Sequence, residues 1–304
     1  MSENRQPVIC LLPGGYVDDD GETYNEVELY PLTGQEEEFL VYKNNTNTAS
    51  LISSILSRCI SRIGPMKIIT EDMTRRLLVA DRQYLILKLR EITFGDRIQA
   101  VIRCPWPDCG QKVDVDFSTH DIPVINSDEK GPVYSMKLSE EAAWNDSQGK
   151  PYRNIRFRLP NGGDQEIVSP IVIHNEAKAL SMLLERCIQA IGPVATPGKK
   201  EINRFSPRAR MEIEKKMQSV APKIELTMEA NCPECARGFA IPFDLQEFFF
   251  GELESSRELL HREIHYLAYN YHWSEREILA MPREKRRKYI EILADEIERM
   301  NDAI

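Results

Sequence analysis

Four of the seven cysteines stand at spacings that suit metal binding. Cys104 and Cys109 bracket Pro-Trp-Pro-Asp, and Cys232 and Cys235 bracket Pro-Glu. A tight turn that presents two thiolates is a zinc knuckle. Two knuckles supply the four sulfurs that a closed, tetrahedral structural zinc prefers. The expected cofactor is therefore one structural Zn(2+), held by Cys104, Cys109, Cys232 and Cys235. The Cys-x-x-Cys spacing is the stricter signal, and the first pair has two extra residues. Two other readings stand beside it: knuckles that persist as plain hairpin turns, and one incomplete site at each turn. With all four thiolates on the ion no position stays open for substrate, so the expectation is a structural metal and no enzyme.

The remaining residues offer weaker chemistry. Cys59 and Cys187 fall on the apolar faces of predicted helices and read as small buried hydrophobes; Cys10 carries no signal. His261-Arg-Glu-Ile-His265 has its Glu one place away from a metalloprotease His-Glu-x-x-His. Asp18-Asp19-Asp20-Gly21 lacks the first and last ligands of an EF-hand loop and reads as an acidic turn. Gly192 to Lys200 has the wrong spacing for a phosphate loop, with no Ser or Thr after the Lys. The basic run Arg283–Lys288 reads as the solvated face of an amphipathic helix. No Gly-x-Ser-x-Gly occurs.

Ligands this far apart in the chain need elements to bring them together, and a repeat supplies them. Leu56–Pro65 reads LSRCISRIGP and Leu184–Pro193 reads LERCIQAIGP, so a fixed offset carries Leu56 onto Leu184. The same offset maps Cys104-Pro105 onto Cys232-Pro233, and Thr33–Leu40 onto Asn161–Val168. Such self-similarity is read before any fold assignment. It implies two copies of one module, near 27–120 and 155–246. In each, an extended segment ends in a Gly turn followed by acids. An amphipathic helix follows, near 47–63 and 175–191, and Gly-Pro stops it. A second helix comes next, near 71–92 in copy one and starting at Ser206-Pro207 in copy two. Each copy ends in a hairpin that carries its cysteine turn.

The predicted fold class is α+β: two duplicated helix-helix-β-hairpin (zinc-knuckle) modules plus a C-terminal helical hairpin. The expected division is 1–120 for the first module with its N-terminal extension, 121–154 for a connecting segment, 155–247 for the second module, and 248–304 for the helical region. In that last region helices are predicted near 252–271 and 282–301, with a short one from Ser274 opened by a Ser-x-x-Glu capping box. Tyr266, Tyr269, Tyr271 and Trp273 are placed either in the packing of this hairpin or against a partner.

The stretch Asp81-Arg82 through Phe94-Gly95-Asp96, followed by a strand and a Cys-Pro turn, resembles the T-even-type phage baseplate hub assembly protein family. Leu32–Glu37 matches an upstream Leu-Thr-Gly-x-Glu-Glu element of that family. The segment from His265 to Trp273-Ser274-Glu275 is similar to short helical segments of phage tails and contractile injection systems. Together these cover about 35–120 and 255–293. The resemblance implies a role at the baseplate hub, as a resident part or an assembly factor, with other baseplate or hub proteins as partners, and it implies no catalytic residues. Copy two departs from the pattern at Arg210–Lys223. This suggests that copy one carries the contact surface, with Arg82 and Arg90 on it.

Composition narrows the other classes. The alternative reading is a zinc-ribbon adaptor protein binding nucleic acid or transcription machinery, and the formal charge of −9 opposes the grip on phosphates that nucleic-acid binding would need. The start reads as no signal peptide. Apolar runs such as Phe248–Phe250 are far short of the roughly 20 residues of a membrane span. The expected partners therefore include no nucleic acid and no membrane. The expected location is the cytoplasm during assembly, with residence in a virion tail or injection-system particle if the chain is a resident part and not only an assembly factor.

Overall fold

The computed structural model describes residues 6–42, 47–127, 129, 131–255 and 257–302. The first five residues, part of the segment read for a targeting signal, lie outside the described residues. The fold is α+β, with small antiparallel sheets set among helices.

In the first half, β1 (Val8–Val17) and β2 (Thr23–Leu29) form a hairpin. Its tip is the acidic turn: the Asp18 carboxylate accepts the N–H groups of Asp20 and Glu22 at 3.0 and 2.9 Å. Next come α1 (Gly34–Tyr42), α2 (Thr48–Cys59), β3 (Ile60–Ile63), α3 (Glu71–Arg76), α4 (Val79–Phe94) and the hairpin of β4 (Arg97–Arg103) and β5 (Lys112–Ser118). The short β6 (Val124–Ile125) begins the connection.

The second half holds β7 (Tyr134–Lys137), β8 (Trp144–Asn145), β9 (Pro151–Tyr152), β10 (Asn154–Phe157), α5 (Gly162–Val172), α6 (Glu176–Cys187), β11 (Ile188–Ile191) and β12 (Val194–Ala195). It continues through α7 (Lys199–Ile202), α8 (Pro207–Val220), β13 (Lys223–Ile224), β14 (Thr227–Asn231) and β15 (Gly238–Pro242). The C-terminal helices are α9 (Leu245–Ser255), α10 (Arg257–Tyr271), α11 (Glu275–Leu279) and α12 (Arg283–Asp302). No described helix is long and apolar enough to cross a membrane.

The helices and strands of the two halves keep step at the offset of the sequence repeat. Val27 pairs with Ile63 and Leu29 with Ile60; Ile155 pairs with Ile191 and Phe157 with Ile188. Gly64 and Gly192 both sit at φ +52°, a left-handed conformation that costs other L-residues about 1–2 kcal/mol. A Cβ at either would meet a tyrosine ring, Tyr24 at 2.5 Å or Tyr152 at 2.6 Å, so no side chain fits at either.

Several sequence expectations need correcting. The helices predicted over 47–63 and 175–191 end at Cys59 and Cys187, and the last four residues of each are strands. The three-residue spacing of Ile60 and Ile63 reads as a helix face; the edges of β2 and β10 take these segments as strands instead, and a register shift in each pairing goes with burial at both ends of the strand. The helix predicted over 71–92 is two helices, because Leu77 and Leu78 are extended. There the Leu77 carbonyl accepts the Gly162 N–H and Leu78 bridges to Asn161, so the second half recruits this backbone. The acids after the Gly turns are capping residues inside helices: Glu36 accepts the Thr33 N–H at 2.9 Å, and Asp164 accepts the Asn161 N–H at 3.0 Å.

The basic run is no solvated face throughout. Arg283 and Arg286 are 5% and 0% exposed. Arg286 donates to Glu37 at 2.6 Å and to Glu263 at 2.9 Å, which ties α12 to α1 and α10. Nor do Arg82 and Arg90 form a contact surface: they are 1% and 3% exposed. Arg82 donates to Ser53, Thr74 and Ala49 inside the core, and Arg90 makes a two-pronged ion pair with Glu252 of α9. Beside Arg82, Asp81 accepts the N–H groups of Gly14 and Gly15 at 2.7 and 3.1 Å, pinning the irregular middle of β1. Burial pushes its carboxyl up to about 7 against the downward pull of those two bonds.

The C-terminal hairpin expectation is met in outline, with helices at 257–271 and 283–302 and the Ser274–Glu277 capping box in place. Tyr271 and Trp273 stack at 4.7 Å, and both rings meet Tyr289 edge-on, while Tyr266 and Tyr269 are exposed.

Candidate metal centre

Each cysteine pair sits at a hairpin tip whose strands set the direction of the thiols. In the first tip, the Cys104 N–H donates to the Gln111 carbonyl at 2.8 Å, and Cys109 and Gly110 both donate to the Trp106 carbonyl. In the second, Cys232 donates to the Arg237 carbonyl at 3.0 Å and Ala236 to the Cys232 carbonyl at 2.9 Å. Both tips turn through one left-handed residue, Gly110 at φ +62° and Ala236 at φ +56°. The two extra residues of the first tip, Trp106 and Pro107 among its Pro-Trp-Pro-Asp, lengthen the loop without changing how it closes.

The tips face each other. Cys104 Sγ lies 3.8 Å from Cys235 Sγ, and Cys109 Sγ lies 3.7 Å from Cys232 Sγ. All four sulfurs fall within 4.8 Å of one another. A tetrahedron with metal–sulfur bonds of about 2.3 Å has sulfur–sulfur edges of about 3.8 Å, so this donor set is compatible with a bound metal ion. The pairing crosses between hairpins: each short sulfur contact joins one tip to the other. Among the described residues this is the one cluster of three or more His, Cys, Asp or Glu placed to hold a metal.

The surroundings favour a shielded site. Cys104 and Cys232 are buried, Cys109 and Cys235 half-buried, and Val113, Ile102, Val115 and Phe239 pack around them as a small separate core. The backbone N–H groups of Cys235 and Glu234 draw the Cys232 thiol down, while burial and the neighbouring thiols push Cys104 and Cys109 up. Outside the thiols, Arg237 closes the gap between tips: it pairs with Asp108 and lies over the Trp106 ring at 5.1 Å. This clasp escaped the sequence reading, although Asp108 adjoins Cys109 and Arg237 comes two residues after Cys235. The other cysteines lie elsewhere. Burial pushes Cys10 up to about 11 and Cys187 up to about 12, and Cys59 is buried, so none of the three is a ready nucleophile.

Fold and site together define an α+β protein whose candidate metal centre takes its whole ligand shell from two hairpins of its own chain. The chain belongs to a family of phage baseplate proteins: residues 15–250 match the family model described as T4 bacteriophage base plate protein. Residues 254–304 match a second model, a family of unknown function (DUF6760). No curated protein and no solved structure matches the chain. The family places the chain among structural proteins of a phage baseplate.

Proposed function

We propose that this chain is a structural or assembly component of the baseplate hub of a contractile tail or injection system, folded around one structural zinc and without catalytic activity. The observation that carries the metal reading is the crossed sulfur pairing of Cys104 with Cys235 and of Cys109 with Cys232. Four thiolates suit zinc, and a filled tetrahedron leaves no coordination position for chemistry. In this reading the ion acts as a cross-link. It joins a module within 1–120 to a second copy of that module within 155–247, through a connection over 121–154. The common offset of strands, helices and left-handed glycines supports the duplication. The helical region over 248–304 then folds back on the first module through Arg90–Glu252 and Arg286–Glu37.

Its partners in this reading are other baseplate or hub proteins, with no nucleic acid and no membrane among them. It is made in the cytoplasm and acts there during assembly, or continues into the finished particle.

Two measurements test this. Elemental analysis of purified protein should return one zinc per chain, and none for Cys232→Ser; a metal-free wild type would end the zinc reading. Mass spectrometry of tail particles and of assembly intermediates should find the chain in at least one of them. Its absence from both would remove the hub assignment.

A further inference from the structure

An apolar groove of about 770 Å³ lies between α5, α6 and α8 of the second half, with Val79, Ala80 and Gln83 at the start of α4 closing one side. Val168, Val172, Leu180, Leu183 and Met217 line it, with Glu214, Lys223 and Glu225 among its polar residues. The first half shows what such a groove holds. There α9 packs against α1 and α4, with Leu245, Phe249 and Leu253 all buried along one helix face. Phe249 meets Phe94 edge-on at 6.3 Å, and Glu252 pairs with Arg90. Leu40, Leu89, Arg90, Thr93 and Phe94 lie on this covered side. The repeat offset carries them onto Val168, Met217, Gln218, Ala221 and Pro222, and all five line the open groove. The chain thus carries two equivalent seats and one described helix that fills a seat.

We propose that the groove of the second half binds an amphipathic helix from another baseplate protein, with large apolar residues four apart and an aromatic at the centre, in the manner of α9. This rests on the duplication proposed above. Helix-in-groove binding uses that spacing because residues i, i+4 and i+8 share one helix face. The occupant is not a second copy of this chain. Its α9 is already buried in its own first half, and the exposed apolar end of α12 carries Glu291, Asp295, Glu296 and Glu298 against Arg299. That end would bring its carboxylates against Glu214 and Glu225. Gln218 stands where Arg90 holds Glu252, so the incoming helix needs no acid at that position.

The probe is a fluorescent peptide of residues 244–255, held helical by a hydrocarbon staple on its polar face and titrated against the full-length chain by anisotropy. Saturable binding is expected, weakened by about tenfold or more by Val172→Asp or Leu183→Asp in the chain and by Phe249→Ala in the peptide. Val172 is 47% exposed, so its variant should melt like wild type. Three results would overturn the proposal. One is no saturation up to about 1 mM peptide. Another is binding that both groove variants leave intact, which places the peptide on the first half in place of α9. The third is a concentration-dependent dimer in sedimentation that Val172→Asp abolishes. Zinc content measured on the same samples separates the two ideas: zinc present without peptide binding defeats the groove alone, and peptide binding without zinc defeats the metal reading alone.

Discussion

Arg82 and Arg210 hold equivalent places in the two halves and make the same two hydrogen bonds. Arg82 donates to Ser53 Oγ at 2.8 Å and to the Thr74 carbonyl at 3.0 Å. Arg210 donates to Ser181 Oγ at 2.6 Å and to the Ile202 carbonyl at 3.2 Å. The offset that relates the arginines also carries Ser53 onto Ser181 and Thr74 onto Ile202. Each arginine thus joins the long helix of its half to the two helices before it. The segment Arg210–Lys223, which reads as a departure from copy one, keeps the arginine and its structural task. Asp81, just before that arginine, has Ala209 as its counterpart, and Arg90 has Gln218.

Arg82→Glu is therefore expected to unfold the protein and not merely to disturb a binding surface. A negative charge would face the Ser53 hydroxyl and two carbonyl oxygens in a site 1% exposed. Uncompensated buried charge costs about 3–5 kcal/mol, a large part of a typical domain's stability. Arg210→Glu, in a half-buried site, should cost clearly less. Urea unfolding followed by circular dichroism compares the two, and equal losses would contradict this account.

The pair Arg286–Glu37 links the segment matched as baseplate protein to the segment matched by the second family. Arg286→Met alone should destabilise by about 3–5 kcal/mol, because Glu37 stays buried with its charge less well matched. Adding Glu37→Gln should recover part of that loss. Limited proteolysis is the local readout: the single variant should release a fragment cut near 250–260 faster than the double variant does.

Metal removal should act on both hairpin tips at once. Cys109→Ser and Cys232→Ser each leave three thiolates, so both should lose zinc and lower the melting temperature by a similar amount. A chelator at neutral pH should do the same to the wild type, and should do little further to either variant. A chelator effect that persists undiminished in Cys232→Ser would place the stabilising metal elsewhere.

Asp81 gives a pH dependence of unusual sign. Its folded value, raised to about 7, lies above the unfolded value near 3.9, so the folded state holds the proton more tightly. The contribution is fully present below about pH 4 and is lost as pH rises through about 7, by a few kcal/mol at most. Comparison with Asp81→Asn isolates it. The stability of wild type minus that of the variant should fall between pH 4 and 8, and a flat difference would refute the assignment.

Gly64→Ala and Gly192→Ala should both destabilise, by more than the roughly 1–2 kcal/mol of a left-handed alanine, because each Cβ also strikes a tyrosine ring. Tyr24→Ala in the Gly64→Ala background should relieve the clash with the ring and leave the contact with the Tyr24 Cβ at 2.9 Å, so it recovers part of the loss when compared with Tyr24→Ala alone. Thermal melts of the single and double variants read this directly.

The sequence by itself determined what depends on local chemistry and on spacing. Cys104, Cys109, Cys232 and Cys235 are legible because a hairpin tip with two cysteines aims them through its own short turn. The constant offset between the halves is legible because like segments fold alike, and Ser274–Glu277 because a capping box is a strictly local pattern. What only the tertiary structure decided are the outcomes of burial. The spacing of Ile60 and Ile63 reads as helix, yet the edge of β2 takes the segment as a strand, with a register shift in the pairing. Arginine reads as solvated until a carboxylate such as Glu37, from the opposite end of the chain, or a carbonyl such as that of Thr74 is brought against it. Likewise the apolar faces of α5, α6 and α8 read like core in sequence. They form an open groove because α9, the helix directly after β15, packs on the first half.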